Sequence, residues 1–203
     1  MMHYPMKDKA KALVEACHFL GERGWCPATG GNFSVRLDDD RCLITQSGKD
    51  KSRLSENDLM VCTLDGKAVD NRLRPSAETA LHTCLYKMDS RIGAVLHTHS
   101  INATVLSRAA GGQLKISGFE MQKALGINST HDEEIEVSIF DNDQNIEALA
   151  MKVAQHPPVQ PGFLVRGHGL YAWGEDLDQA RRHIEGFEFL FACLWQEKLL
   201  ERK

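Results

Sequence analysis

Long apolar segments and an excess of positive charge are both missing from this sequence. No apolar run approaches the roughly 20 residues that a helix needs to span a bilayer. The net charge is −4 with histidine neutral, so no basic surface for nucleic acid or anionic lipid is expected. The first nine residues also lack the charged-then-apolar order of a secretion signal. We therefore expect a cytoplasmic protein that binds neither nucleic acid nor membrane.

Closely spaced cysteine pairs are also missing from the sequence. The chain has six cysteines and no Cys-x-x-Cys pair. Disulfide frameworks belong mainly to short secreted chains, so we expect these cysteines to behave as small buried hydrophobic residues in a reducing compartment. Phosphate-binding P-loop and dinucleotide fingerprints are also missing, which gives no support for a nucleotide cofactor. Any metal site would therefore depend on histidine.

The length and patterning predict one globular α/β domain over residues 1–203. Hydrophobic residues make up 42% and charged residues 26% of the chain, as in ordinary globular proteins. Predicted strands alternate with predicted helices, and several strands are joined by short turns, which favours a mixed or mostly antiparallel sheet with helices on its faces. Helices are predicted over residues 7–23, 76–88 and 146–155, from residue 100, and after a capping box at Asp176.

Two histidines flank one threonine at His97-Thr98-His99, directly after the apolar run 92–96. Side chains two apart on a strand point to the same face, so both imidazoles can reach one cation. The pair alone is as consistent with chance as with a metal site. A third histidine, His168, follows another apolar run and is framed by glycines. Three imidazoles with one open position form a common catalytic zinc arrangement, although imidazole also suits iron, cobalt or manganese.

Three short polar turns could bind an anion through main-chain N–H groups or hydroxyls. They cover residues 29–32, 46–49 and 75–77, and Ser76 lies at the N-terminus of a predicted helix, a position that favours phosphate. Each turn alone is more often an ordinary turn. Together with a metal centre, they indicate a small phosphorylated substrate.

Two glutamates are candidates for acid–base chemistry, Glu78 near a predicted helix start and Glu120 after a short strand. Sequence alone does not separate either from a solvated surface residue. His82 and His183 fall within predicted helices, where we expect satisfied polar contacts rather than metal ligands.

Taken together, the motifs resemble those of the class II aldolase superfamily, whose members are zinc enzymes. They occur in that family's order: residues 29–32, 47–48, 75–78, 97–99 and 167–174. The resemblance implies a three-layer α/β/α fold with a central mixed, mostly antiparallel sheet, and one zinc ion per subunit bound by His97, His99 and His168. It also implies that Asn32, Ser47, Gly48 and Ser76 lie near the substrate phosphate, and that the protein is a homo-oligomer, commonly a homotetramer.

Residues 30–34, 47–51 and 119–125 resemble the dehydratase branch of this superfamily most closely. That branch acts on a methylthio-substituted ketopentose 1-phosphate in methionine salvage, and the glutamate matching Glu120 is its expected acid–base residue. In the aldolases, the glutamate matching Glu78 has that role. We favour a hydro-lyase that uses Glu120, with Glu78 as the alternative. A sugar-phosphate aldolase or 4-epimerase is the nearest competing function, and a non-catalytic binding module on the same fold is a remote one.

Overall fold

The computed structural model describes residues 4–126 and 130–201. These residues form helices and strands in an interleaved order. The α-helices are α1 (Tyr4–Glu22), α2 (Thr79–Met88), α3 (Ile101–Ala109), α4 (Ile146–Gln155) and α5 (Leu177–Leu200). The strands are β1 (Asn32–Arg36), β2 (Arg41–Thr45), β3 (Leu59–Thr63), β4 (Ala94–Thr98), β5 (Gln113–Ile116), β6 (Ile135–Phe140), β7 (Gly162–Val165) and β8 (Gly169–Gly174).

The strands form one sheet in the order β3-β2-β1-β4-β8-β7-β6-β5. Neighbouring strands are antiparallel except β6 and β7, which are parallel. Short turns such as the one between β1 and β2 favour antiparallel neighbours, because a parallel pair needs a long crossover. The predicted mixed, mostly antiparallel sheet is therefore confirmed.

Helices cover both faces of the sheet and complete the predicted α/β/α layers. The apolar side chains of α1, α3 and α5 pack in one core cluster with one face of the sheet, and those of α2 and α4 pack in a second cluster with the other face. Strand β4 lies between the two clusters, with Ala94 and Leu96 in the first and Val95 in the second. All five of its residues are buried, which explains its apolar sequence without polar alternation.

The structure differs from the predicted elements at two points that bear on function. Helix α2 begins at Thr79 rather than at residue 76. The Ser76 hydroxyl accepts a hydrogen bond from the Glu78 N–H. The main chain over residues 76–81 forms i to i+3 hydrogen bonds instead of the i to i+4 bonds of an α-helix. Ser76 therefore does not cap this helix directly. Strand β8 is not predicted from the sequence, although its residues 170–173 are almost entirely apolar.

Two expectations about composition can be compared with the structure. All six cysteines are free thiols, and Cys17, Cys26, Cys42 and Cys62 are buried, as expected for small hydrophobic residues. Among the helices of residues 4–126 and 130–201, none combines the length and apolarity required to cross a bilayer.

The central position of β4 predicts a strong dependence of stability on its apolar side chains. Leu96 is fully buried, so Leu96→Ala should lower the free energy of unfolding by about 2–5 kcal/mol through lost burial and a residual cavity. Leu200→Ala is the matched control, since Leu200 is 66% exposed and its loss should change stability by about 0.5 kcal/mol or less. Urea unfolding monitored by circular dichroism measures both, and equal effects would contradict this description of the core.

Candidate metal centre

The three sequence-predicted histidines converge at one end of the central strands. His97 lies in β4, His99 follows it directly, and His168 lies in the turn between β7 and β8. The Nε2 atom of His97 lies 2.8 Å from Nε2 of His99 and 3.3 Å from Nε2 of His168. The strand periodicity therefore predicts the first contact correctly, and the β7–β8 turn supplies the third imidazole.

The protonation of His97 is set by a main-chain contact. Its Nδ1 lies 2.9 Å from the carbonyl oxygen of Leu170, which can only accept, so Nδ1 carries the hydrogen and Nε2 presents a lone pair. The ring also stacks on Tyr171, with centroids 3.9 Å apart. Burial lowers the pKa of His97 well below its ordinary value and that of His99 to about 4. Both imidazoles are therefore neutral near pH 7, the form that binds metal.

Glu78 joins the histidines at this point. Its Oε1 lies 3.1 Å from Nε2 of His168 and its Oε2 lies 3.9 Å from Nε2 of His97. Burial raises the carboxyl pKa, but hydrogen bonds from His168 and Asn32 together with the nearby imidazoles outweigh it, so the pKa of Glu78 is lowered and the group is ionised. One carboxylate thus faces three imidazoles.

This donor set fits a divalent ion. One ligand atom from each of Glu78, His97, His99 and His168 lies within 4.8 Å of the others. Two imidazole nitrogens on one tetrahedral zinc ion lie roughly 3.3 Å apart, given zinc–nitrogen bonds of about 2.0–2.1 Å. The His97–His168 separation matches this value and the His97–His99 separation is shorter. The cluster is therefore a possible metal site, and imidazole donors alone do not select the metal.

Two glycines allow the main chain to approach the histidine strand closely. A Cβ atom on Gly169 would lie 2.0 Å from the Thr98 carbonyl oxygen, and one on Gly31 would lie 2.5 Å from the His97 carbonyl oxygen. Gly31 also has a φ of +78°, which L side chains rarely adopt. The chain on both sides of β4 therefore requires glycine in order to place Asn32 and His168 beside His97.

A cavity of about 860 Å³ opens onto this cluster. The residues predicted to lie near a phosphate all line it: Asn32, Ser47, Gly48 and Ser76. Glu78, His99 and His168 line the same cavity. The structure therefore brings the polar turns and the candidate metal ligands to one cavity.

Sequence reasoning missed a buried lysine beneath the turns. Lys51 is almost fully buried, and its Nζ donates to the carbonyl oxygens of Thr29 and Lys49 at 2.9 and 2.7 Å. Burial lowers its pKa. The contact ties the turn before β1 to the turn after β2, so Lys51 stabilises two walls of the cavity. No spacing rule reveals this role, because its partners are main-chain atoms.

Glu120 lies outside the cluster within one chain. It begins the 3-10 helix Glu120–Leu125 and its side chain is 73% exposed. Its carboxylate lies 2.6 Å from Nζ of Lys123, which lowers its pKa, and 3.7 Å from Nδ1 of His131. Of the two candidate glutamates, the chain brings Glu78 to the histidines, and the role of Glu120 stays a prediction.

The convergence of the histidines predicts that each contributes to metal affinity. Loss of a residue that only orients a metal ligand lowers metal affinity by roughly 10–100-fold. His99 is a candidate ligand itself, so His99→Ala should weaken zinc binding by at least about tenfold. Competition titration of zinc-free protein with a chromophoric chelator measures the affinity. His156→Ala, which removes an exposed histidine, is the control and should leave the affinity unchanged. Equal zinc affinity of the two variants would contradict the assignment.

The buried, neutral state of His82 predicts a loss of stability in acid. Burial lowers its pKa from 6.5 to about 4. Between these values the unfolded chain binds the extra proton, so the stability from neutral His82 is present above pH 6.5 and is lost as the pH falls towards 4. This residue should account for about 2 kcal/mol of the stability lost between about pH 7 and pH 5.

Urea unfolding of zinc-free protein at both pH values tests this linkage. His82→Gln should lose less stability on acidification than the wild type, by about the amount given above, because glutamine does not titrate. His156→Gln, at an exposed position, should follow the wild type. The same pH dependence in wild type and His82→Gln would rule out a large depression of the His82 pKa.

Comparisons with known proteins agree with the fold. The family model described as "Class II Aldolase and Adducin N-terminal domain" matches residues 11–195. A protein of Serratia proteamaculans named methylthioribulose-1-phosphate dehydratase is 56% identical over 97% of this chain and 98% of its own length. A protein of the same name from Pectobacterium atrosepticum is 58% identical over 95% of this chain and 96% of its own length.

A solved structure of an L-fuculose-1-phosphate aldolase from Thermus thermophilus is also similar. It superposes with a TM-score of 0.78 at 28% sequence identity, covering 95% of this chain and 96% of the other. The match extends over nearly the full length of both chains, in agreement with the layered sheet described above. This chain belongs to the class II aldolase and adducin N-terminal domain family.

Proposed function

We propose that this protein is a hydro-lyase of methionine salvage, a methylthioribulose-1-phosphate dehydratase. It converts 5-methylthioribulose 1-phosphate to 2,3-diketo-5-methylthiopentyl 1-phosphate with loss of one water. The observation that carries the proposal is the cluster of Glu78, His97, His99 and His168 on a cavity lined by polar turns. The chain that holds this cluster is 56–58% identical, over nearly its full length, to proteins that bear the dehydratase name.

We infer that the cluster binds one zinc ion per subunit through His97, His99 and His168. A zinc ion bound there supplies Lewis-acid stabilisation of the negative charge that develops on the substrate's oxygens when the carbon-3 proton leaves. The hydrogen bond from His97 to the Leu170 carbonyl keeps that imidazole in the ligating tautomer. With a divalent ion bound to three imidazoles beside the Glu78 carboxylate, the site would have a small net positive charge, which suits a substrate that brings its own anionic phosphate.

The polar turns are proposed to bind the phosphate. Ser47 and Ser76 offer hydroxyl groups, Gly48 and its neighbours offer main-chain N–H groups, and Arg74 lines the same cavity with a positive charge. Binding the phosphate at one end of the cavity holds the reacting carbons near Glu78 and the histidines. Such positioning lowers the entropy cost of the reaction.

The proposed reaction needs one group that takes a proton from carbon 3 and one that gives a proton to the departing 4-hydroxyl. When the carbon-3 proton leaves, the electron pair of the carbon–hydrogen bond delocalises onto the carbon-2 carbonyl oxygen. This pair then forms the carbon 3–carbon 4 double bond as the carbon 4–oxygen bond breaks and water leaves. The resulting enol takes up a proton at carbon 4, loses the proton of its 3-hydroxyl and becomes the 2,3-diketone. We propose Glu120 for the proton transfers, with Glu78 as the alternative.

Glu120 can act at the cluster if a neighbouring subunit supplies it. Within one chain it is paired with Lys123 on the surface, and beside it lie the exposed apolar side chains of Met121 and Phe189. Apolar surface next to a functional carboxylate is suited to contact with another copy of the chain. We therefore propose a homo-oligomer, a homotetramer as is usual in this superfamily, with composite active sites.

We also propose a cytoplasmic location and a single domain over residues 1–203.

A sugar-phosphate aldolase is the second candidate. The observation that favours it is the position of Glu78, because the chain itself brings this glutamate to the histidines and leaves Glu120 outside. An aldolase would use the same cavity but cleave a carbon–carbon bond. Product mass separates the two functions directly.

We expect zinc-loaded protein to convert methylthioribulose 1-phosphate to a product lighter by one water, as measured by mass spectrometry. Glu120→Gln should abolish this conversion, because a carboxamide cannot carry the proton. Glu147→Gln, at an exposed position on α4, is the matched control and should retain full turnover. Two carbon fragments would establish an aldolase, and an unchanged mass with inverted stereochemistry would establish an epimerase.

Co-expression of two inactive variants completes this test. If Glu78 and Glu120 of different subunits share one site, Glu78→Gln and Glu120→Gln subunits should restore part of the activity when they assemble together. Full turnover by Glu120→Gln alone would instead exclude Glu120 and support Glu78.

A further inference from the structure

A chain of buried polar side chains runs from Glu78 into the core between α2 and β1. Asn32 donates through Nδ2 to Glu78 Oε2, and Asn32 Oδ1 contacts Nε2 of His82. Nδ1 of His82 lies 2.7 Å from the Ser34 hydroxyl, which lies 2.7 Å from the Tyr86 hydroxyl. The chain therefore links the candidate metal centre to a tyrosine two helical turns away along α2.

Two regular spacings produce this chain. Glu78, His82 and Tyr86 are four residues apart, so they lie on one face of α2 and its leading turn. Asn32 and Ser34 are two apart on β1 and share the face of the sheet that α2 covers. The polar side chains on this face of α2 therefore form hydrogen bonds with the polar side chains on this face of β1.

The direction of every hydrogen bond follows from the two ends of the Asn32 amide. Its Nδ2 can only donate, to Glu78 Oε2, and its Oδ1 can only accept, from Nε2 of His82. His82 must then carry its hydrogen on Nε2 and accept at Nδ1 from the Ser34 hydroxyl. Ser34 in turn accepts from the Tyr86 hydroxyl. Each group donates towards Glu78, and a single tautomer of His82 satisfies the chain.

Burial makes this direction costly to change. His82 and Ser34 are fully buried and Tyr86 is nearly so, which leaves no bulk water to replace a lost partner. Burial lowers the pKa of His82 to about 4 and raises that of Tyr86. Both groups therefore keep one proton each near pH 7. If His82 took the other tautomer, the Asn32 amide would have to turn its oxygen towards the Glu78 carboxylate, which is repulsive.

We propose that His82, held by Ser34 and Tyr86, is a positioning residue that fixes the Asn32 amide and through it the orientation of Glu78. The expected effect on kcat rests on the proposed function, whereas the expected tautomer of His82 does not. His82 itself lies behind Asn32, away from the substrate cavity. It should therefore influence turnover through the orientation of Glu78, and contribute little to substrate affinity.

The tautomer of His82 is the direct test, and it does not require turnover. In zinc-loaded protein with 15N-labelled histidine, NMR near pH 7 should show the His82 resonances as a protonated Nε2 and an unprotonated Nδ1. The spectrum of His82→Gln identifies those resonances by their disappearance. A protonated Nδ1 on His82 would overturn the proposal, whatever the activity of the protein.

A pair of variants at this position tests the consequence for catalysis. His82→Leu removes the donor and should lower kcat by about 10–100-fold, with KM and zinc content unchanged. His82→Gln keeps an amide N–H that can reach Asn32 and should recover most of the lost kcat. His183→Leu and His183→Gln are the matched controls, since His183 is also buried but hydrogen-bonds the Trp173 carbonyl instead. Both controls should keep wild-type kcat.

Thermal unfolding of all four variants separates positioning from a general loss of structure. Equal kcat for the leucine and glutamine variants, or a loss of kcat that follows the melting temperature in both histidine pairs, would overturn the positioning role. Wild-type protein without dehydratase activity but with the expected His82 tautomer would overturn the proposed function and leave the hydrogen-bond chain intact.

Discussion

His97 lies where the central strand pairs on both sides, opposite Asn32 of β1 and opposite Tyr171 of β8. This double antiparallel register is the constraint on which the rest of the site depends. On one side it places Asn32 where its amide can bind Glu78, and on the other it places the turn that carries His168. A shift of one residue in either pairing would turn the partner side chains to the opposite face and separate the ligand atoms. The fold therefore specifies the site through strand register more than through any single contact.

Burial and charge act in opposite directions on the groups that this register gathers. Burial favours the neutral form of every titratable group, and for His82 and His99 it prevails, lowering each pKa to about 4. For Glu78, hydrogen bonds and nearby imidazoles outweigh burial, and the carboxylate stays ionised. His97 and His99 therefore offer neutral imidazole nitrogens near pH 7, and Glu78 adds one negative charge. Neutral imidazole and ionised carboxylate are the forms that bind a divalent ion.

The sequence predicts the parts of this site that depend on local periodicity. His97 and His99 follow from the period of a strand, and the interleaved elements predict the layered sheet. The prediction of His168 as a ligand also depends on the resemblance of the sequence to a known family. No local pattern connects this turn with a strand about 70 residues earlier. His82 forms the satisfied polar contacts that are predicted for it, but its partners could not be named, because Ser34 and Asn32 lie 48 and 50 residues away and no single-sequence rule pairs them. The role of Lys51 could not be predicted either, because its partners are main-chain oxygens. The residues that the sequence could not place are those whose function is set by contacts between layers.

The two glutamates differ in a way that bears on their proposed roles. A proton-transfer residue works best when its pKa lies near the operating pH, and the hydrogen bonds to Glu78 hold its pKa below the usual range. Glu78 is therefore better suited to orienting and balancing charge at the histidines than to exchanging protons. Glu120 also has a lowered pKa in the single chain, but the cause is one exposed contact with Lys123. In the proposed assembly a neighbouring subunit covers this surface, and burial of a carboxyl raises its pKa. Assembly would then deliver Glu120 to the cavity and raise its pKa towards the pH at which the reaction runs. Oligomerisation is therefore a chemical requirement of the proposed reaction.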